Sequence, residues 1–305
     1  MREETDPAAT LAAILADRRA PTLRNWLLDA WEIGQYLVFR HMPIDLGPRL
    51  AAPGIIAYIR RERPWVLERA RANLRRHRPW ASDDQIEAWV EAFLQNIGAY
   101  IGETPTIGRY MAAGRLEIQV ADGAREAFRR GGVIALCLHT ANWEVMLEAL
   151  KALGLSAACA PIEWETRGQT WVINDLRRRN GMRYLTRDHA GVRAAYKEVK
   201  EGGLLAIFVD EARHGRLMAP LFGRPPHANG NLAIAAKLAR HTGAAMVLWH
   251  TTRLPGRRFR VTISDVIELP QEPKGLLDDV AFLNGVIEPV VLEHLEQWFW
   301  LDDSF

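Results

Sequence analysis

Apolar residues recur along this chain in two different periods, and the change between them divides it in two. Up to about residue 110 the spacing is helical. Residues 8–18 carry a short helical pattern that Pro21 interrupts. Trp26 to Phe39 is apolar except for Asp29, Glu32 and Gln35, which recur every three residues; this predicts an amphipathic helix with one polar stripe. Leu46-Gly-Pro-Arg-Leu50 reads as a turn. Residues 61–78 are basic and helical, and Ser82-Asp-Asp-Gln85 matches a capping box that opens a helix over 84–102.

Beyond 110 the chain alternates short apolar runs with helical stretches. Strands are predicted at 116–120, 133–138, 156–160 (ended by Pro161), 183–186, 204–209, 246–252 and 259–263. Helices are predicted at 124–130, 144–153, 170–179, 191–200, 231–241 and 278–298, with Asn180-Gly181 and Gly243 as stops. Alternation of this kind predicts an α/β fold: a central mixed, largely parallel sheet flanked by helices. The expected organisation is an N-terminal helical module over 1–110 and an α/β domain over 111–305.

Composition sharpens this in three ways. The 305 residues are 49% hydrophobic, enough for a sizeable core. A net charge of +2 gives no global basic field, so nucleic acid is not an expected partner. Arginines nevertheless cluster near 60–78, 177–187 and 253–260, and eleven tryptophans suit a surface that meets lipid head groups. The two cysteines, Cys137 and Cys159, have neither metal-ligand nor disulfide-framework spacing, which predicts no metal. The N-terminus does not read as a signal peptide, and no apolar run is long enough to span a bilayer.

Two strand exits carry the candidate chemistry. The first is Cys137-Leu-His139-Thr-Ala-Asn142-Trp143-Glu144, between an apolar strand and a helix. The turn is long enough to bring Glu144 back to His139, where a carboxylate would orient the ring as a general base. The bland alternative is a turn residue with a satisfied side chain. Cys137 is an alternative nucleophile, although a buried strand cysteine is more often packing. The second exit is Asp210-Glu211-Ala-Arg213-His214-Gly-Arg216, followed by Pro220-Leu-Phe222-Gly223. Arg213 and Arg216 are candidates for holding a phosphate. His214 and His227 read as local hydrogen-bonders.

His139-Thr-Ala-Asn-Trp-Glu144 resembles the His-x4-Asp/Glu motif of the bacterial lipid A biosynthesis acyltransferases, among them the lauroyl and myristoyl enzymes. It is also similar to the phosphatidylinositol mannoside acyltransferase. Further matches follow the same order: Asn73-Leu74, Pro79-Trp80 with Ser82, Phe93, Glu103, the strand ending at Asp210, Pro220-Leu-Phe-Gly223, Thr242-Gly-Ala244 and Glu296-Gln-Trp298-Phe-Trp300. The chain departs at Asp302-Asp303-Ser304-Phe305, where the family carries a basic cluster.

The resemblance implies a glycerolipid-acyltransferase-like fold and O-acyl transfer from acyl carrier protein or acyl-CoA to a hydroxyl of a lipid or glycolipid. No cofactor beyond that acyl donor is expected. His139 would be the base and Glu144 its partner. Asn142, Trp143, Arg177, Asp210, Arg213, Arg216, Phe222 and Gly223 would bind substrate. The implied setting is the cytoplasmic face of the bacterial inner membrane, held peripherally or by an interfacial anchor in the N-terminal helical module. A non-catalytic acyl-binding protein and a thioesterase remain alternatives.

Overall fold

The computed structural model describes residues 17–160, 164, 166–186, 189–213, 216–271 and 275–303. The patterns predicted over 8–16, Pro161, His214-Gly215 and Ser304-Phe305 lie outside the described residues.

Four helices come first: α1 (Leu23–His41), α2 (Leu46–Glu62), α3 (Pro64–His77) and α4 (Asp83–Glu103). The capping box forms as expected. Ser82 Oγ accepts from the Gln85 N–H at 3.3 Å, and Gln85 Oε1 accepts from the Ser82 N–H at 2.9 Å. The turn expected at Leu46–Leu50 is instead the first turn of α2. Pro48 is tolerated there because the first-turn N–H groups have no intrahelical partner to lose. Gly47 is needed for another reason: a Cβ on it would lie 2.5 Å from the Gly102 carbonyl oxygen, where α2 crosses α4.

The α/β body runs β1 (Leu116–Val120), α5 (Asp122–Arg130), β2 (Val133–Cys137), α6 (Met146–Ala152), β3 (Ala157–Cys159), α7 (Arg167–Arg179), β4 (Met182–Tyr184), α8 (His189–Lys200) and β5 (Leu204–Phe208). A hairpin of two-residue strands follows, β6 (Ala212–Arg213) and β7 (Arg216–Leu217), which the sequence pattern does not announce. The chain then continues through α9 (Asn231–Thr242), β8 (Ala245–Leu254), β9 (Arg258–Ile267) and α10 (Leu276–Glu293).

Seven strands form one sheet in the order β1-β9-β8-β2-β5-β3-β4. All neighbours are parallel except the β8–β9 hairpin, so the fold is α/β with a mixed, largely parallel sheet. β2 is central and buried throughout. Its alternate residues serve two cores: Ile134, Leu136 and Leu138 face α9, α10 and helices α2–α4, while Val133, Ala135 and Cys137 face α5 and α6. The boundary near residue 110 therefore separates helix from sheet, while the first core crosses it.

α1 is inverted relative to an ordinary surface helix. Its polar stripe faces inward. Asp29 accepts from Arg167 Nε at 2.8 Å and from the Gly168 N–H at 2.9 Å, and Glu32 accepts from Gln169 Nε2 at 3.0 Å and from the Thr166 hydroxyl. Leu23, Trp26, Leu27, Trp31 and Val38 face outward, with Trp26 58% and Trp31 64% exposed. Among the described residues, no helix is long and apolar enough to cross a membrane.

Candidate active site

β2 and β5 lie side by side in the sheet, with Cys137 in register with Phe208. Two residues further along each chain come His139 and Asp210, which therefore meet. Asp210 Oδ1 lies 2.8 Å from His139 Nδ1, and Oδ2 accepts from the His139 backbone N–H at 2.8 Å. With Nδ1 held by Asp210, Nε2 lies on the opposite side of the ring.

A third donor fixes the carboxylate. Trp298 Nε1 donates to Asp210 Oδ2 at 2.9 Å, and both side chains are fully buried. The C-terminal strip reaches this position by pairing with the turn after β2. The Ala141 N–H donates to the Gln297 carbonyl and the Phe299 N–H to the His139 carbonyl, both at 2.8 Å. Ala141 sits at φ +51°, a region that disfavours a side chain, and these bonds hold it there. Aromatic rings enclose the imidazole. Phe208 stacks on it at 4.3 Å, and Trp143 and Trp300 meet it edge-on at 5.0 and 5.6 Å. His139 is 7% exposed.

Glu144 does not serve His139. Its carboxylate takes Arg177 Nη2 at 2.6 Å, Arg177 Nε at 3.0 Å and Trp143 Nε1 at 3.0 Å. The cause is local. Residues 139–141 are pinned to the C-terminal strip, and Asn142 Oδ1 accepts from the Glu144 N–H at 3.3 Å, opening a tight 3₁₀ turn over Trp143–Val145. That turn carries Glu144 under α7. Arg177 is buried with it; burial pulls its pKa down, but the Glu144 charge more than offsets this and raises it. Its guanidinium thus holds Glu144 and is closed to a substrate phosphate.

The other expected residues separate into groups. Asn142 Nδ2 reaches Glu103 Oε2 at 3.3 Å, and Glu103 pairs with Arg253, whose guanidinium also binds Asn96 Oδ1. Glu103 thereby links α4 to the turn after His139. Arg213 and Arg216 are cross-strand partners in the β6–β7 hairpin, and both are exposed. Arg213 also bonds Asn231 Oδ1 at 2.8 Å and pairs with Glu211 at 3.1 Å. Phe222 and Gly223 form a positive-φ turn behind Trp298, with the Phe222 ring 5.8 Å from the Trp298 ring. They brace the site through Trp298 and do not reach the imidazole. His227 Nδ1 is buried with no hydrogen-bond partner among the described residues.

Burial raises the Cys137 thiol well above its ordinary range, which makes it a poor nucleophile. Glu211, next to Asp210, is pushed up to about 8 by burial, against the pull of Arg213. No group of three or more potential metal ligands occurs among the described residues. The sequence reading did not foresee Trp298 as the third donor on Asp210, and it expected Glu144 at His139, where the structure places Asp210. The signals in the sequence were that two strands end on chemistry, at His139 and at Asp210, and that Trp298 lies in a stretch resembling the family's ending.

The model of a family described as bacterial lipid A biosynthesis acyltransferase matches residues 17–305. No curated protein matches the chain in sequence. Among solved structures, the 1-acyl-sn-glycerophosphate acyltransferase of Thermotoga maritima is similar at 14% identity with a TM-score of 0.36, over 83% of this chain and 98% of that one.

Proposed function

We propose, because this chain belongs to the bacterial lipid A biosynthesis acyltransferase family, that it moves a fatty acyl chain from an acyl carrier protein or coenzyme A thioester to a hydroxyl of a lipid or glycolipid. It is an acyltransferase of lipids; the donor, the catalytic groups and the setting are our reading. The observation that carries this reading is the buried Trp298–Asp210–His139 chain of hydrogen bonds.

In this reading Nε2 of His139 removes the proton of the acceptor hydroxyl as its oxygen attacks the thioester carbonyl. The C–O bond forms, the C–S bond breaks, and the imidazolium returns the proton to the departing thiolate. Asp210 fixes the tautomer and stabilises the charged ring. Phe208, Trp143 and Trp300 keep water from the thioester and favour transfer over hydrolysis. Arg213 and Arg216, two like charges opposed on one hairpin, suit the phosphate of the donor's arm. The outward apolar stripe of α1 supports a peripheral seat on a lipid surface.

His139→Ala should lower turnover by a factor on the order of 10²–10⁴ while leaving the protein folded. The assay is acyl transfer from a thioester to total lipid, read by mass spectrometry as an added acyl mass. Undiminished transfer by this variant would remove His139 from the mechanism. Free fatty acid without an acylated lipid from the wild type would make it a hydrolase.

A further inference from the structure

Indole rings from Trp143, Trp298 and Trp300 crowd the His139–Asp210 pair, and each carries one N–H. Two of these donors are committed. Trp143 Nε1 donates to Glu144 at 3.0 Å, and Trp298 Nε1 donates to Asp210 at 2.9 Å. The Trp300 N–H is different. Its Nε1 is buried with no hydrogen-bond partner among the described residues, although its ring meets the imidazole edge-on at 5.6 Å between centres. An indole N–H donates and cannot accept. Leaving it buried and unpaired costs about 1–3 kcal/mol, so it calls for an acceptor that the folded chain does not supply.

Other donors beside the imidazole are engaged. The backbone N–H groups of His139, Ala141, Glu144 and Phe299 go to Asp210 Oδ2, the Gln297 carbonyl, Asn142 Oδ1 and the His139 carbonyl. The Arg177 guanidinium holds Glu144. Phe208 and Phe299, which also lie against the imidazole, carry no polar side-chain atom.

The Trp300 ring is held from both sides along the chain. Before it, the Phe299 N–H donates to the His139 carbonyl at 2.8 Å. After it, Asn73 Nδ2 donates to the carbonyls of Leu301 at 2.7 Å and Asp303 at 3.0 Å. The Asp303 N–H closes a turn onto the Trp300 carbonyl at 2.9 Å. A donor fixed in this way can stabilise developing charge without reorganising.

Acyl transfer creates the missing acceptor. When a hydroxyl held at the base attacks a thioester carbon, the C=O pair moves onto oxygen. Reacting atoms approach at about 3–3.5 Å, and a donor serves the resulting oxyanion from about 2.7–3.1 Å. Laid end to end, those lengths are comparable with the 5.6 Å between the Trp300 and His139 rings.

We propose that Trp300 is the oxyanion donor: its indole N–H binds the carbonyl oxygen of the acyl thioester and holds the negative charge that develops there. The electron pair returns to re-form C=O as the C–S bond breaks, and the proton taken by His139 goes to the thiolate. Trp300 is then a catalytic residue, because its N–H touches a reacting atom. The inference rests on the reading of His139 as the base.

The test uses the full chain with S-palmitoyl phosphopantetheine, which carries the arm common to both classes of donor, and total lipid as acceptor. Trp300→Phe keeps an aromatic ring and removes the N–H. It should lower kcat by about 10²–10³ with KM little changed. The dithioester analogue, with C=S in place of C=O, makes the readout specific. Sulfur is a weak acceptor, so wild type should be slow on it and Trp300→Phe no slower.

Equal fractional losses on thioester and dithioester would make Trp300 a packing residue and overturn the proposal, as would undiminished kcat on the thioester. Should Trp300→Phe not fold, Trp300→3-benzothienylalanine keeps the shape of the ring, replaces N–H by sulfur and is read by the same criteria. His139→Ala separates the two readings. Full transfer by that variant removes the base and the inference with it. An inactive His139→Ala beside a fully active Trp300→Phe overturns the oxyanion assignment alone.

Discussion

Two acids compete for the role of partner to His139, and they are separable one residue at a time. Asp210 carries the hydrogen bonds to the imidazole, so Asp210→Asn should lower kcat by a factor on the order of 10²–10⁴ with only a small loss of stability. Glu144 holds a buried arginine, so Glu144→Ala leaves Arg177 uncompensated and should destabilise the protein by about 3–5 kcal/mol in denaturant unfolding. The opposite pattern, an inactive but fully stable Glu144→Ala and an active Asp210→Asn, would return the catalytic carboxylate to Glu144. The His-x4-Glu spacing suggested that reading because a short turn brings neighbours together. The expected contact does not form because Asn142 and the C-terminal strip set the turn, and no local pattern records a strip that arrives from residues 297–299.

At the scale of elements, the crossing of α2 and α4 depends on two glycines in van der Waals contact. A Cβ on Gly102 would overlap the backbone of Gly47 and Pro48, which cannot swing aside as a side chain does. Gly102→Ala should therefore cost about 1–3 kcal/mol, measured by urea unfolding. Because α4 ends in Glu103, which bonds Asn142, the same variant should also lower activity; wild-type stability would show that the helices can part without loss. Most elements were legible in the sequence, since periods of 3.6 and 2 follow from which face is buried. α1 was legible as an amphipathic helix but not in its orientation. Asp29 and Glu32 turn inward because α7 supplies Arg167 and Gln169, and its N-cap Thr166, to receive them. The start of α2 and the β6–β7 hairpin escaped for lack of a pattern: a Gly-Pro pair and two-residue strands are too short to show a period.

At the scale of the whole molecule, the partly buried acid Glu211 beside the site links stability to pH. Burial raises the Glu211 pKa from 4.5 to about 8, so the folded state holds a proton there that the unfolded state has lost. The folded state binds more protons between these values, so this contribution to stability is fully present below about pH 4.5 and falls as pH rises to about 8. Glu211→Gln cannot ionise and should remove up to about 5 kcal/mol of that decline, seen as a flatter Tm against pH over this window. A variant whose Tm falls with pH as steeply as the wild type would show that Glu211 is ionised in the fold.

The sequence by itself determined what local forces determine. Hydrophobic period set the helices, the strands and the α/β class, and strand ends marked His139 and Asp210 as places where polar groups leave the sheet. Tertiary structure alone decided which of these groups meet. Parallel pairing of β2 with β5 brings together residues 71 apart in the chain, and the C-terminal strip adds Trp298 from farther still. Side-chain spacing fixes a face of an element, whereas strand order and register fix its neighbours. Those are settled only when the whole core packs.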